Sequence, residues 1–216
     1  MNLVDPDGRD GMVRGAGTKN NPYVIVAVYL YDSTITQDQL NGLNAAIAEY
    51  NNSCTKVRDE TGNTVYVSFE LSSRLSENPA EERLSTNFKD VQGNPRYYGN
   101  IVTAEIEEES GRYGYATMME IGFSEGMIGL GIEKGMDSSS LYKGVAIHEI
   151  GHNLGGEHED GTSVMQQVEE TIFSFGSDKQ HSVFTYPSFS TSFVKKIFKR
   201  KDSPRENGSA RIWTEH

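Results

Sequence analysis

"DSSSLYKGVAIHEIGHNLGGEH" spans residues 137–158 and holds three of the five histidines of a 216-residue chain. Its apolar positions recur at helical spacing. Ile147, Ile150 and Leu154 make one stripe, while Leu141 and Val145 lead directly into His148 and His152 on another. Asp137 or Ser138 supplies an N-terminal cap, and Gly155-Gly156 provides the left-handed conformation that ends a helix. A helix apolar on two sides is buried on both, so the histidines are expected on a buried face.

Residues four apart on a helix stand one above the other, about 6 Å along the axis at 1.5 Å per residue. Both imidazoles can therefore reach one ion at about 2.0–2.1 Å. A third ligand needs the chain to reverse, which Gly155 permits, bringing His158 back from beyond the helix end. Three neutral imidazoles leave a fourth position for water, the arrangement of a catalytic zinc rather than a structural one. Glu149, directly after the first ligand, can take a proton from that water and pass it to a leaving amine. With histidine this scarce, the full pattern arises by chance on the order of 10⁻⁵ times per chain of this length.

"HEIGHNLGGEH" (148–158) resembles the HExxHxxGxxH signature of the metzincin metallopeptidases. The resemblance implies one catalytic Zn²⁺ held by His148, His152 and His158, with Glu149 as catalytic base. It also implies a methionine turn beneath the metal, for which "TSVMQQ" offers Met165, and no fifth protein ligand, since Gln167 stands where some members have a tyrosine. The fold expected from it is α/β (α+β): a twisted mixed sheet with two long helices in an upper lobe, a small irregular lower lobe with a C-terminal helix, and zinc in the cleft between them. Members of the family pair the substrate with an edge strand, for which Tyr113, Gly114, Tyr115 and Ala116 are the candidates. The activity implied is hydrolysis of peptide bonds in a protein or peptide substrate. A zinc-stabilised binding module that no longer cleaves is the alternative from another class, and the presence of Glu149 speaks against it. Prosegment silencing by cysteine is not expected, because the single cysteine, Cys54, lies at the end of a predicted helix. His181 and His216 fall outside the motif.

The rest of the chain agrees with a strand-and-helix layer. Residues 1–22 are rich in Gly, Asp and Asn without period and read as a linker. A buried strand is predicted over 23–32 and an amphipathic helix after it, with Leu40, Leu43, Ala46, Ile47 and Tyr50 on its apolar face. A strand is predicted over 63–73, then a loop or irregular helix over 77–96. Further strands are predicted in 97–109 and 111–123, and 127–135 is a short strand or a glycine-rich approach. A late helix is predicted over 190–200. The catalytic domain is thus drawn at 23–201, with 202–216 as a flexible tail. The net charge of −11 argues against nucleic acid or an anionic membrane as partner. No apolar run is long enough to span a bilayer, and the first twenty residues contain no apolar signal core.

"MNLVDPDGR" (1–9) resembles the sequence that closes the core of RHS-repeat proteins, secreted or surface shells that carry a variable C-terminal domain. That resemblance implies a toxin or effector domain delivered as part of a larger polypeptide, with a parent shell and a cognate immunity protein as partners.

Overall fold

The hub of the sheet is the strand β2 (Tyr23–Tyr31), whose run YVIVAVYLY is β-branched and aromatic enough to pair on both edges. The structure is a computed structural model that describes residues 11–59, 61–104, 114–116, 127–130, 139–156, 191–199, 201–202 and 212–215. Along its whole length β2 pairs in parallel with β4 (Thr64–Leu75). Its other edge is shared: Val24–Val26 face β1 (Gly11–Arg14) antiparallel, and Val28–Tyr31 face β7 (Gly99–Thr103) in parallel. Beyond β7 come β9 (Met127–Leu130), parallel, and β8 (Gly114–Ala116), antiparallel at the end of the path. β3 (Cys54–Arg58) forms a hairpin with β4, and β10 (Ile212–Thr214) lies parallel to β1. The fold is therefore mixed α+β around a mixed sheet.

Alternation along β2 separates two layers. Ile25, Ala27 and Tyr29 belong to the main core, while Val24 and Val26 pack with Met12, Phe88 and Tyr98 on the opposite side. The main core is roofed by α1 (Gln37–Asn51) and α3 (Ser139–Asn153). α1 starts at Thr36, whose hydroxyl accepts from Gln39 N while Gln39 Oε1 accepts from Thr36 N, a reciprocal capping box. Gln39 Nε2 also donates to Leu130 O at 2.6 Å, fastening the helix start to β9. The buried face of α1 comprises Gln39, Gly42, Leu43, Ala46, Ile47 and Tyr50, with Leu40 only partly covered. α4 (Thr191–Lys199), expected in a lower lobe, instead sends Phe193, Val194, Ile197 and Phe198 into this same core. Its 3,4 spacing of large apolar residues needs a large apolar surface, and the roof of the sheet provides one.

Two expectations are corrected here. Residues 11–14, taken within the linker, are a sheet strand with Met12 and Val13 buried, and residues 212–214, taken within the flexible tail, pair with it. Both strands are too short to show a period, and each is stabilised by its neighbour in the sheet. The stretch 77–96 also carries more order than expected: α2 (Pro79–Leu84) and a small hairpin of β5 (Asn87–Lys89) with β6 (Pro95–Tyr97). Cys54 is exposed at the start of β3 and does not end a helix.

The two hairpins turn on one motif, DETGN at 59–63 and DVQGN at 90–94. In each, the aspartate side chain accepts from the backbone two and four residues on, and the glycine has a positive φ of 84° or 83°. Asp90 is wholly buried and also pairs with Arg96 at 2.9 Å. Burial alone would raise its pKa, but hydrogen bonds from Asn94, Gln92 and Arg96 prevail and hold it below the ordinary carboxylate range. A carboxylate held low contributes stability that is complete above the unfolded-state value near 3.9 and is lost as pH falls below it. Acid titration of the urea midpoint is expected to show such a loss below about pH 4, and Asp90→Asn should both remove that slope and cost about 3 kcal/mol at neutral pH.

A second measurement concerns the helix roof. A Cβ on Gly42 would stand 2.4 Å from Tyr142 Cβ and 2.7 Å from Lys143 N, so α1 and α3 touch through the missing side chain. Alanine would favour the helix by about 1 kcal/mol. Because the obstacle includes backbone, the clash prevails: Gly42→Ala is expected to destabilise by about 1–3 kcal/mol in urea unfolding. A stabilised variant would show that the two helices are not in contact there.

Candidate metal centre

The helix α3 carries the histidine pair, and its burial follows the sequence expectation of two covered sides. Ile147, Ile150 and Leu154 are buried on one, and Val145 and His148 on the other, with His152 partly covered. The capping residues Asp137 and Ser138 lie outside the described residues.

Three local devices hold the stretch in place. Tyr50, at the end of α1, donates its hydroxyl to Ile147 O at 2.8 Å, one residue before the first histidine. The Tyr50 ring meets Phe69 and Phe193 edge-on, at 5.2 and 6.4 Å between centroids. Burial raises the pKa of its phenol, which stays protonated and able to donate. At the helix end, Gly155 takes φ +97°, Gly155 N donates to His152 O and Gly156 N to Gly151 O, the paired bonds of a Schellman ending. The left-handed helix ending expected at Gly155-Gly156 is thus present. Below the last turn, Asn153 accepts from the Tyr29 hydroxyl at 3.1 Å and donates to Asn100 Oδ1 at 3.2 Å.

The helix ending also supplies a partner for His152. His152 Nδ1 lies 3.0 Å from Gly156 O, and a carbonyl can only accept, so Nδ1 carries the proton and Nε2 presents its lone pair. That lone pair points to His148 Nε2, 3.1 Å away, with the rings at 87°. Two nitrogens bound to one tetrahedral ion at about 2.0–2.1 Å stand about 3.3 Å apart. The pair therefore fits a small divalent cation between the two rings, and in its absence fits an N–H···N bond donated by His148. Glu149 is 6% exposed, a carboxylate almost buried on the turn that carries both imidazoles.

Among the described residues no group of three or more His, Cys, Asp or Glu converges. His158, expected as the third ligand, lies outside the described residues, as do Met165, Gln167 and Tyr113. Of the expected substrate strand, Gly114, Tyr115 and Ala116 form β8, paired with Leu130, Gly129 and Ile128 of β9. β8 ends the strand path and lies against α3.

Tyr29, Asn100 and Asn153 are not singled out by the sequence, and Tyr50 is read there only as part of an apolar helix face. A signal exists for one of them: asparagine is depleted from strand interiors, and Asn100 sits inside β7. No described helix is long and apolar enough to cross a membrane. Compared with models of known protein families the chain finds no match, and compared with curated proteins it finds none.

Proposed function

We propose that the chain is a zinc-dependent endopeptidase of metzincin type. The observation that carries this reading is HEIGHNLGGEH itself, with its two described imidazoles 3.1 Å apart at Nε2 on a buried helix and Glu149 between them in sequence. The order β2, α1, β4 and β7 parallel to β2, the antiparallel β8, the parallel β9 and then the histidine-bearing α3 supports it as well.

In this reading His148 and His152 would hold the metal through their Nε2 atoms, and His158 would be the third ligand. Zinc, when bound, supplies Lewis acidity that polarises the scissile carbonyl and lowers the pKa of water. Glu149 accepts the proton of the attacking water and returns it to the departing amine, a transfer favoured by a carboxylate shielded from bulk solvent. β8, which ends the strand path among the described residues, would pair with the substrate backbone, offering main-chain hydrogen bonds without demanding a particular side chain. Met165 is the residue this reading assigns to the family's methionine turn.

The purified protein is expected to hold about one zinc per chain and to cleave unfolded protein, with chelator abolishing turnover. Glu149→Ala should retain zinc and fold and lose about 10²–10⁴ in rate. His158→Ala and His148→Ala should each weaken zinc retention. Zinc binding without any cleavage of a peptide library would instead identify a zinc-stabilised binding module.

The stretch MNLVDPDGR favours, as the setting of this activity, an effector domain released from an RHS-type shell into a target cell. Expression in bacterial or eukaryotic cytosol should then slow growth, and Glu149→Ala should relieve it. Equal growth at matched protein levels would remove the toxin role and leave the peptidase standing.

A further inference from the structure

We infer that Tyr29, Asn100 and Asn153 are positioning residues for the metal-binding histidines, a role that rests on the zinc reading above. All three are 0% exposed, and they come from three elements: β2, β7 and the last residue of α3. The Tyr29 hydroxyl donates to Asn153 Oδ1 at 3.1 Å, and Asn153 Nδ2 donates to Asn100 Oδ1 at 3.2 Å. Asn153 directly follows His152. Two neighbouring parallel strands are thereby linked, through two hydrogen bonds, to the residue beside a ligand.

Stability alone does not account for this arrangement. Burying two amides and a phenol costs desolvation free energy that their hydrogen bonds roughly offset, and apolar groups of the same shape are often equally stable in such places. What apolar packing lacks is direction. Leu154 and Ile150 can slide against the sheet by fractions of an ångström with little change in contact, whereas a hydrogen bond fixes both distance and angle. The Tyr50 bond to Ile147 O provides a second directional anchor at the start of the motif. His148 and His152 both lie between the two anchors, so the helix can neither rotate nor shift without breaking one.

The test uses the full chain and measures zinc affinity by competition with a chromophoric chelator, together with the visible spectrum of the cobalt-substituted protein, which reports ligand geometry. Tyr29→Phe and Asn153→Leu are expected to weaken zinc binding about tenfold and to alter the cobalt spectrum. The double variant Asn100→Leu/Asn153→Leu should do the same while the urea midpoint of its zinc-free form stays close to the parent's. Affinities within twofold of the parent with an unchanged cobalt spectrum would overturn the inference and leave the zinc reading intact. A fall in affinity that merely tracks lost zinc-free stability across the variants would overturn it too. A parent chain that binds no zinc would overturn both. Should Asn153→Leu fail to fold, Tyr29→Phe removes one oxygen only and decides the matter by itself.

Discussion

The site depends on the rotation of one helix about its own axis. An imidazole nitrogen stands several ångströms from that axis, so turning α3 by 20° would carry it about 2 Å, whereas metal-ligand distances tolerate only about 0.2 Å. Apolar burial cannot supply that tolerance, because it is non-directional. Three kinds of contact to α3 differ in what they can fix. The Glu49–Lys143 ion pair, at 2.7 Å but partly exposed, contributes at most about 1 kcal/mol and little geometry. The close approach at Gly42 sets the distance between α1 and α3, because backbone meets backbone there and neither yields. The hydrogen bonds from Tyr50 and Tyr29 set the angle.

These anchors are themselves held by the sheet. Gln39 closes the capping box of α1 with its Oε1 and reaches Leu130 O with its Nε2, so the helix start is indexed to β9, the strand next to β7. Tyr29 occupies β2 and Asn100 occupies β7, whose registers are locked by pairing Tyr29 with Asn100. The two polar groups under the end of α3 are thus register partners in a parallel ladder. A slip of either strand by one residue would turn its own member of the pair to the other face and part the two.

Periodicity made α3, α1, β2 and β4 legible in the sequence, because each is long enough to show its period: Ile147, Ile150 and Leu154 on the helix, and the unbroken run from Tyr23 on the strand. Gly155 was legible as a helix end because few residues accept its φ. What stayed hidden was set by partners distant in sequence. Gly11–Arg14 has only two apolar residues in four and becomes a strand because β2 and β10 flank it. The hairpin of β5 and β6 looked like polar loop because its order comes from Asp90, a buried charge that mean hydropathy counts as surface. The Tyr29–Asn153–Asn100 chain joins residues 124 and 53 positions apart, and no local pattern records such a contact.

The strands missed at 11–14 and 212–214 bear on the site as well as on the fold. A Cβ on Gly11 would lie 2.9 Å from Ile212 Cγ2 and 3.3 Å from Leu154 Cδ2, so β1 and β10 meet beside the last turn of the histidine helix. Leu154 is fully buried and immediately precedes the Gly155 reversal. Phe193 of α4 leaves no space for a side chain on Gly156, whose carbonyl meets His152 Nδ1. The end of the histidine helix is therefore in contact both with the strand pair β1–β10 and with α4. A unit drawn at 23–201 would omit β1 and β10 and uncover Leu154, the residue before the left-handed Gly155. Composition marks 1–22 and 202–216 as polar and irregular, whereas Gly11–Arg14 and Ile212–Thr214 within them are strands that pair with each other and cover the end of the histidine helix.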